Sequence, residues 1–242
     1  MSGMTAPRFA RARRFAAALR DDSRAMALTE FAMALPVLLT LGLGGLETSN
    51  FAMAHLRVSN IAVLTADNAA RVRDSIDETD VIQLFTGAKM TGEGIGFANN
   101  GRIVLSSLES ATGTQWIRWQ RCDGALDVDP RYGQPLTEDG DPIDDGTEIF
   151  GPDRDEDSDD PSSPDESELD GMGSEDNQIT SQTGTAVMVV EVSYLYQPII
   201  PNSFLEGRLI RYESSFNVRQ RTNQSIQNFT NVTPRSCDTN NA

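Results

Sequence analysis

Histidine and cysteine are scarce in this chain of 242 residues: one histidine, His55, and two cysteines, Cys122 and Cys237. Two cysteines cannot build a zinc ribbon, and one imidazole cannot supply the usual His-rich catalytic metal site. Lysine is equally rare, with Lys89 standing alone. The inventory for general acid–base catalysis is therefore thin. The patterns G-x-S-x-G, P-loop, H-E-x-x-H and C-x-x-C are all missing. Positive charge is in deficit, 20 Lys+Arg against 36 Asp+Glu for a net charge of -16. That balance argues against nucleic acid as the main partner, because phosphate binding needs clustered positive charge. Apolar residues make up 38%, low enough that part of the chain stays out of any core. The length suits one compact domain with appendages, or two small ones.

The charge that is present is unevenly placed. Residues 1–24 hold six Arg and two Asp, a local +4, while residues 137–177 hold eighteen acids and one base, a local -17. Setting both aside from -16 leaves a near-neutral body at -3. Directly after the basic head comes an apolar stretch, and from Phe31 to Leu46 no residue is charged. As a helix, those sixteen residues rise about 24 Å. The flanks, 27–29 and 48–54, bring the length to what a bilayer needs, with Glu30 and Glu47 near the two ends. The pattern predicts a transmembrane helix over 26–54 behind a basic leader, 1–25. The arginines on its N-terminal side predict a cytoplasmic N-terminus and an exported body. A cleaved secretory signal is the competing reading. Against it stand the length of the apolar run, Glu30 at its start and the lack of a clear A-x-A site in a helix-breaking context after it.

The segment RAMALTEFAMALPVLLTLGLGGLE resembles the TadE-like family of the tight-adherence pilus system, whose members look like type IV pilins at the N-terminus. Glu30, Phe31, Ala32, Pro36 and the leucine-rich run ending at Glu47 carry the resemblance, which covers residues 24–66. It implies cutting by a prepilin peptidase on the cytoplasmic side, so that the glutamate becomes the fifth mature residue. Counted back from Glu30, the cut falls between Ala25 and Met26. The family usually has glycine before the cut, where this chain has Ala25. The resemblance further implies a minor pseudopilin that works with pilin or pseudopilin helices and a pilus assembly platform in the bacterial inner membrane.

Two readings of Glu30 stand side by side. A carboxylate at the mouth of an apolar helix is costly unless it snorkels or pairs. It pairs with an α-amine freed at Met26, in its own or a neighbouring chain, or it lies among headgroups and marks the helix start. Pro36 either kinks the helix to help bundling or is simply tolerated there. Gly42, Gly44 and Gly45 offer close helix approach without forming G-x-x-x-G. Residues 55–76 lack Pro and Gly, and Val58, Ile61, Ala62, Leu64, Ala69 and Val72 predict an apolar stripe on a continued helix. His55 falls at the membrane exit and reads as an interfacial residue.

The body reads as β-structure. Residues 102–108, 114–122, 185–196 and 208–221 predict four strands of a half-buried antiparallel sheet, covered on its apolar face by the helix. In the third, Met188, Val190, Val192, Tyr194 and Tyr196 form the more continuous apolar face and are assigned to the core. Trp116 and Trp119 read as sheet packing or as a recognition surface. Cys122 and Cys237, in an exported domain, predict one disulfide that ties the tail to the sheet, with free thiols as the alternative. The fold class is thus α+β: a long N-terminal transmembrane helix continuing into a soluble domain with about four antiparallel strands. The domain's first helix and strands span 55–136, and its remaining strands and tail span 178–242.

Between these lies the acidic insert, 137–177, for which disorder is the default. Asp153, Asp155, Asp157 and Asp159 alternate, an oxygen-rich spacing that can gather calcium. No EF-hand register fits, because position twelve is proline whether counted from Asp141 or Asp153. Apart from calcium at this segment, no cofactor is expected. Asn223, Asn228 and Asn231 open Asn-x-Ser/Thr sequons that read as polar tail residues. The chain reads as a non-enzymatic, pilin-like assembly protein. An anchored calcium-binding or adhesive envelope protein is the second reading, and an exported enzyme, for which no carboxylate pair is nominated, the third.

Overall fold

The computed structural model describes residues 23–111, 114–132, 172–174, 177–182, 184–201, 203 and 205–237. The chain divides into two compact units, residues 1–50 and 51–242. The first contains the opening part of helix α1, Ser23–Arg71. α1 is, among the described residues, the one helix long and apolar enough to cross a membrane, and its most apolar stretch is wholly uncovered.

In the second unit, α1 is followed by β1 (Asp74–Asp77), α2 (Glu78–Thr91), a 3-10 turn (Glu93–Ile95) and the short α3 (Phe97–Asn100). Strands β2 (Gly101–Ala111), β3 (Thr114–Asp123), β4 (Met172–Ser174), β5 (Asn177–Ile179), β6 (Ala186–Leu195), β7 (Leu209–Asn217) and β8 (Arg221–Gln227) complete the chain. The main sheet is antiparallel with order β3-β2-β6-β7. These are the four strands expected from the sequence. β1 and β8 pair in parallel, and β4 with β5 in a small hairpin.

The expected helix over 55–76 stops at Arg71. Asp74 takes a left-handed φ of 59°, which turns the chain out of the helical path and into β1. Within the stripe, Val58, Ile61, Ala62 and Ala69 are buried as expected, whereas Leu64 is 49% exposed. Thr65, Ala66 and Ala70 take the inward positions instead. Ala66 and Ala70 share one core cluster with Met188, Val190, Val192, Tyr194 and Tyr196, the assigned core face.

The sheet is not half-buried along β6. Val187 and Val189, on the other face, are covered in a second cluster with Leu108, Ile117 and Met172. A bulge between Ser107 and Leu108 explains part of this, because Ser107 opposes Trp119 while Leu108 opposes Ile117. The extra residue, Arg118, sends Trp119 to the main core and Ile117 to the second cluster, although simple alternation puts both on one face. The bulged Arg118 holds Glu109 through two contacts at 3.0 and 3.1 Å.

α2 begins with a capping box. Asp77 accepts from the Thr79 N–H at 2.9 Å, and Asp80 accepts from the Asp77 N–H at 3.0 Å. Beside it, Glu78 and Arg121 form a buried ion pair, 1% and 0% exposed. Arg221, also buried, donates to the Ala69 carbonyl at 2.6 Å, near the end of α1 where unpaired carbonyls favour a cation. Burial lowers its pKa to about 10, with Asp80 opposing, so it stays charged at neutral pH. Gly124, at φ 116°, closes β3 over the start of β2, where an added Cβ would meet the Gly101 carbonyl oxygen at 2.3 Å.

Candidate functional site

The candidate assembly segment lies at the start of α1. From Met26 to Leu46 every large apolar side chain is exposed, including Leu28, Phe31, Leu38 and Leu41. A helix apolar all round has no water-facing side, which is the pattern of a membrane span. Its hydroxyls are satisfied within the helix. Thr29 donates to the Met26 carbonyl at 2.8 Å, Thr40 to that of Pro36 at 2.7 Å, and Thr48 to that of Gly44 at 2.8 Å. Such back-bonding lets a hydroxyl live in hydrocarbon at little cost. Pro36 lies inside the helix.

Ala25, Met26, Glu30 and Pro36 are all helical. Glu30 follows Met26 by four residues, so the two share one side of the helix. Pro36, six residues further on, lies about 240° around the axis from Glu30. The Ala25–Met26 peptide bond is within the helix.

In the folded unit, Cys122 and Cys237 form the expected disulfide across 115 residues of sequence. The Cys122 N–H donates to the Arg235 carbonyl at 2.9 Å, and Arg102 donates to the Cys237 carbonyl, so the tail is bonded on both sides of the bridge. Trp119 is core, with its indole N–H on the Gln224 carbonyl at 3.0 Å. His55 packs edge-on against Phe51 and Tyr212, with Nδ1 3.2 Å from the Tyr212 hydroxyl. The aspartates proposed for calcium, Asp153, Asp155, Asp157 and Asp159, lie outside the described residues. Among the described residues, no group of three or more His, Cys, Asp or Glu could hold a metal ion.

Two clefts remain. One, of about 320 Å³, runs between α1 and α2 and is lined by Leu64, Asn68, Asp80 and Leu84 among others. The other, of about 300 Å³, lies over β6 and β7 beside Glu191, Glu213, Arg131 and Arg211. Glu191 and Glu213 are directly opposite one another. Glu191 accepts from the Arg131 N–H at 2.9 Å, and Glu213 from the Tyr132 hydroxyl at 2.8 Å. Burial raises the Glu191 pKa, the Arg131 N–H opposes this, and the Glu213 charge adds to it. Sequence reasoning did not find this pair, because cross-strand neighbours depend on register. Nor did it find the pair Glu78–Arg121 or α2. For α2 a signal existed: Asp77 and Asp80 three apart before Val81, a capping-box spacing.

From Met26 to Leu46 α1 is apolar and uncovered, which fits a membrane anchor, and the residues that follow form an α+β domain closed by a disulfide. Residues 25–71 match the family model described as TadE-like protein. No curated protein and no solved structure matches the chain.

Proposed function

We propose that this chain is a non-enzymatic, pilin-like protein that assists assembly of a tight-adherence pilus or a related secretion apparatus. The family match over 25–71, on a helix uncovered from Met26 to Leu46, is the observation that carries it. In this reading residues 26–54 of α1 sit in the bacterial inner membrane with the arginine-rich head in the cytoplasm and the domain outside. The disulfide supports an oxidising compartment for the domain. A prepilin peptidase cuts between Ala25 and Met26, and the new amine pairs with Glu30 of the same or a neighbouring chain. Pro36 bends the helix as it packs among pilin or pseudopilin helices at the assembly platform.

Mass spectrometry of the protein recovered from membranes tests processing. The expected N-terminal peptide starts at Met26 and is N-methylated; an intact Ala25–Met26 bond overturns that step. A strain lacking the protein tests the role. Pili are expected to be lost, restored by the wild-type chain and not by Glu30→Ala. Normal piliation without the protein overturns the proposal.

A further inference from the structure

The two edges of the main sheet differ. β3 is engaged along its outer side by the C-terminal part of the chain: Trp119 reaches the Gln224 carbonyl, Arg118 reaches Ser225 at 2.8 Å, and the Cys122 N–H is taken by Arg235. β7 is the opposite edge, and no strand among the described residues pairs with its outer side. β7 matches β6 over all nine residues without a register shift. Exposed edges are ordinarily blunted by charged side chains, proline or a bulge. β7 has no proline and no bulge, and its two charges, Arg211 and Glu213, are of opposite sign.

We propose that β7 is a docking edge for a second copy of this chain, whose own β7 adds antiparallel about a twofold axis through Tyr212. The charges select both the partner and the register. Arg211 and Glu213 are two residues apart, so they lie on one face of the strand. Arg211 is exposed and forms no ion pair within 4 Å among the described residues. With Tyr212 on the axis, Arg211 of each copy faces Glu213 of the other, giving two opposite-charge cross-strand pairs. Moving the axis by one residue puts Arg211 on Arg211 or Glu213 on Glu213, and directly opposed like charges are unfavourable. The Tyr212-centred register also sets Ile210 against Ser214. A single edge contact is a small interface. Copies held by α1 in one membrane meet at high effective concentration, which lets a small interface serve. The proposal uses the anchor and is independent of the pilus role.

The test uses full-length protein in detergent, followed by hydrogen exchange of the β7 amides and by mass at several concentrations. Protection of β7 is expected to rise with protein concentration in the wild type. Arg211→Glu and Glu213→Arg, each alone, are expected to weaken self-association about tenfold or more, because each places two like-charge pairs at the axis. Mixed one to one, the two variants are expected to associate again, since each then supplies the sign the other lacks. Glu213→Arg also removes the Tyr132 hydrogen bond and the 3.6 Å ion pair with Arg131, so the double variant R211E/E213R, which restores both cross-strand pairs, controls for local damage. β7 exchange that is independent of concentration overturns the proposal. Fast exchange means an edge without an occupant, and slow exchange means that another part of the same chain covers it. Self-association of R211E equal to the wild type overturns it as well.

Discussion

Residues 26–46 and residues 54–70 belong to one helix, and the two stretches treat their side chains in opposite ways. In the first, leucines at 28, 38 and 41 are 60–69% exposed and no face is covered. In the second, Val58, Ile61, Ala66 and Ala69 are fully buried, while Leu56, Val63 and Leu64 remain outside. The first stretch needs an apolar surrounding on every side and satisfies its hydroxyls internally. The second packs on one side with apolar residues of the sheet, and alanines take several of its inward positions. The backbone geometry is the same, so the environment rather than the helix decides what the sequence must supply. A membrane span needs bulk hydropathy, whereas a packed helix needs the right residue at each inward position.

Perturbations of the folded domain and of the apolar stretch should therefore separate. The largest effect is expected from Cys122→Ser with Cys237→Ser, which opens a loop spanning 115 residues. The chain-entropy model gives a loss of about 4 to 5 kcal/mol. Denaturant titration followed by tryptophan fluorescence reads the domain and should show it. The protein should still fractionate with membranes, since residues 26–46 contribute nothing to that loop. Retained stability would mean that the tail is held by other contacts, of which the one between Arg235 and Cys122 is the first candidate.

Next in size is Glu78→Ala. It leaves Arg121 buried and uncompensated, at an expected cost of about 3–5 kcal/mol. Replacing both partners by apolar residues, Glu78→Leu with Arg121→Met, should cost much less, because a buried pair repays its desolvation poorly. Equal losses for the single and double variants would show that the pair adds stability outright. On the other side of the comparison, Leu38→Arg should oppose membrane insertion by about 2.5–3.5 kcal/mol and leave domain unfolding unchanged. Ala66→Arg should do the reverse, placing a charge in the core face of α1. Membrane fractionation and fluorescence melts, measured on both variants, check the crossing.

How far the sequence discloses this architecture follows the same division. Period-2 alternation located β2, β6 and β7, aromatic and β-prone residues located β3, and an uncharged run located the apolar helix, because each is a local pattern. Cys122 and Cys237 were paired by counting. What escaped was set by placement in space. The bulge at Arg118 splits Trp119 from Ile117, and nothing in TQWIRWQRC announces an extra residue. The second cluster depends on Met172, beyond a long acidic segment, returning to the far face of β6. Leu64 fits the apolar stripe by hydropathy yet faces outward, while Thr65 and Ala66 take the inward positions. The cross-strand pair Glu191 and Glu213 exists only once the register is known.

The smallest predicted effects are titrations, and two carboxylates of the folded unit should pull stability in opposite directions. Burial raises the Glu191 pKa above 4.5, with Glu213 adding to the rise and the Arg131 N–H, Arg131 and Arg211 charges opposing it. Its folded form therefore holds a proton that the unfolded chain has released, so the domain gains stability as pH falls through the raised value. Glu191→Gln should increase stability at neutral pH and abolish that gain. Asp77 behaves otherwise. Burial pushes its carboxyl up, but the N–H groups of Thr79 and Phe229 and the Thr79 hydroxyl more than offset this and hold it below 3.8. Its contribution is present above the ordinary value near 4 and is lost as pH falls through the lowered one. Asp77→Ala should cost about 1 kcal/mol at neutral pH through the lost helix cap. Asp77→Asn keeps the cap and should flatten only the acid limb. Melts from pH 7 to pH 3 on the three variants separate these contributions, and an unchanged acid limb in Asp77→Asn would assign that limb to other carboxylates.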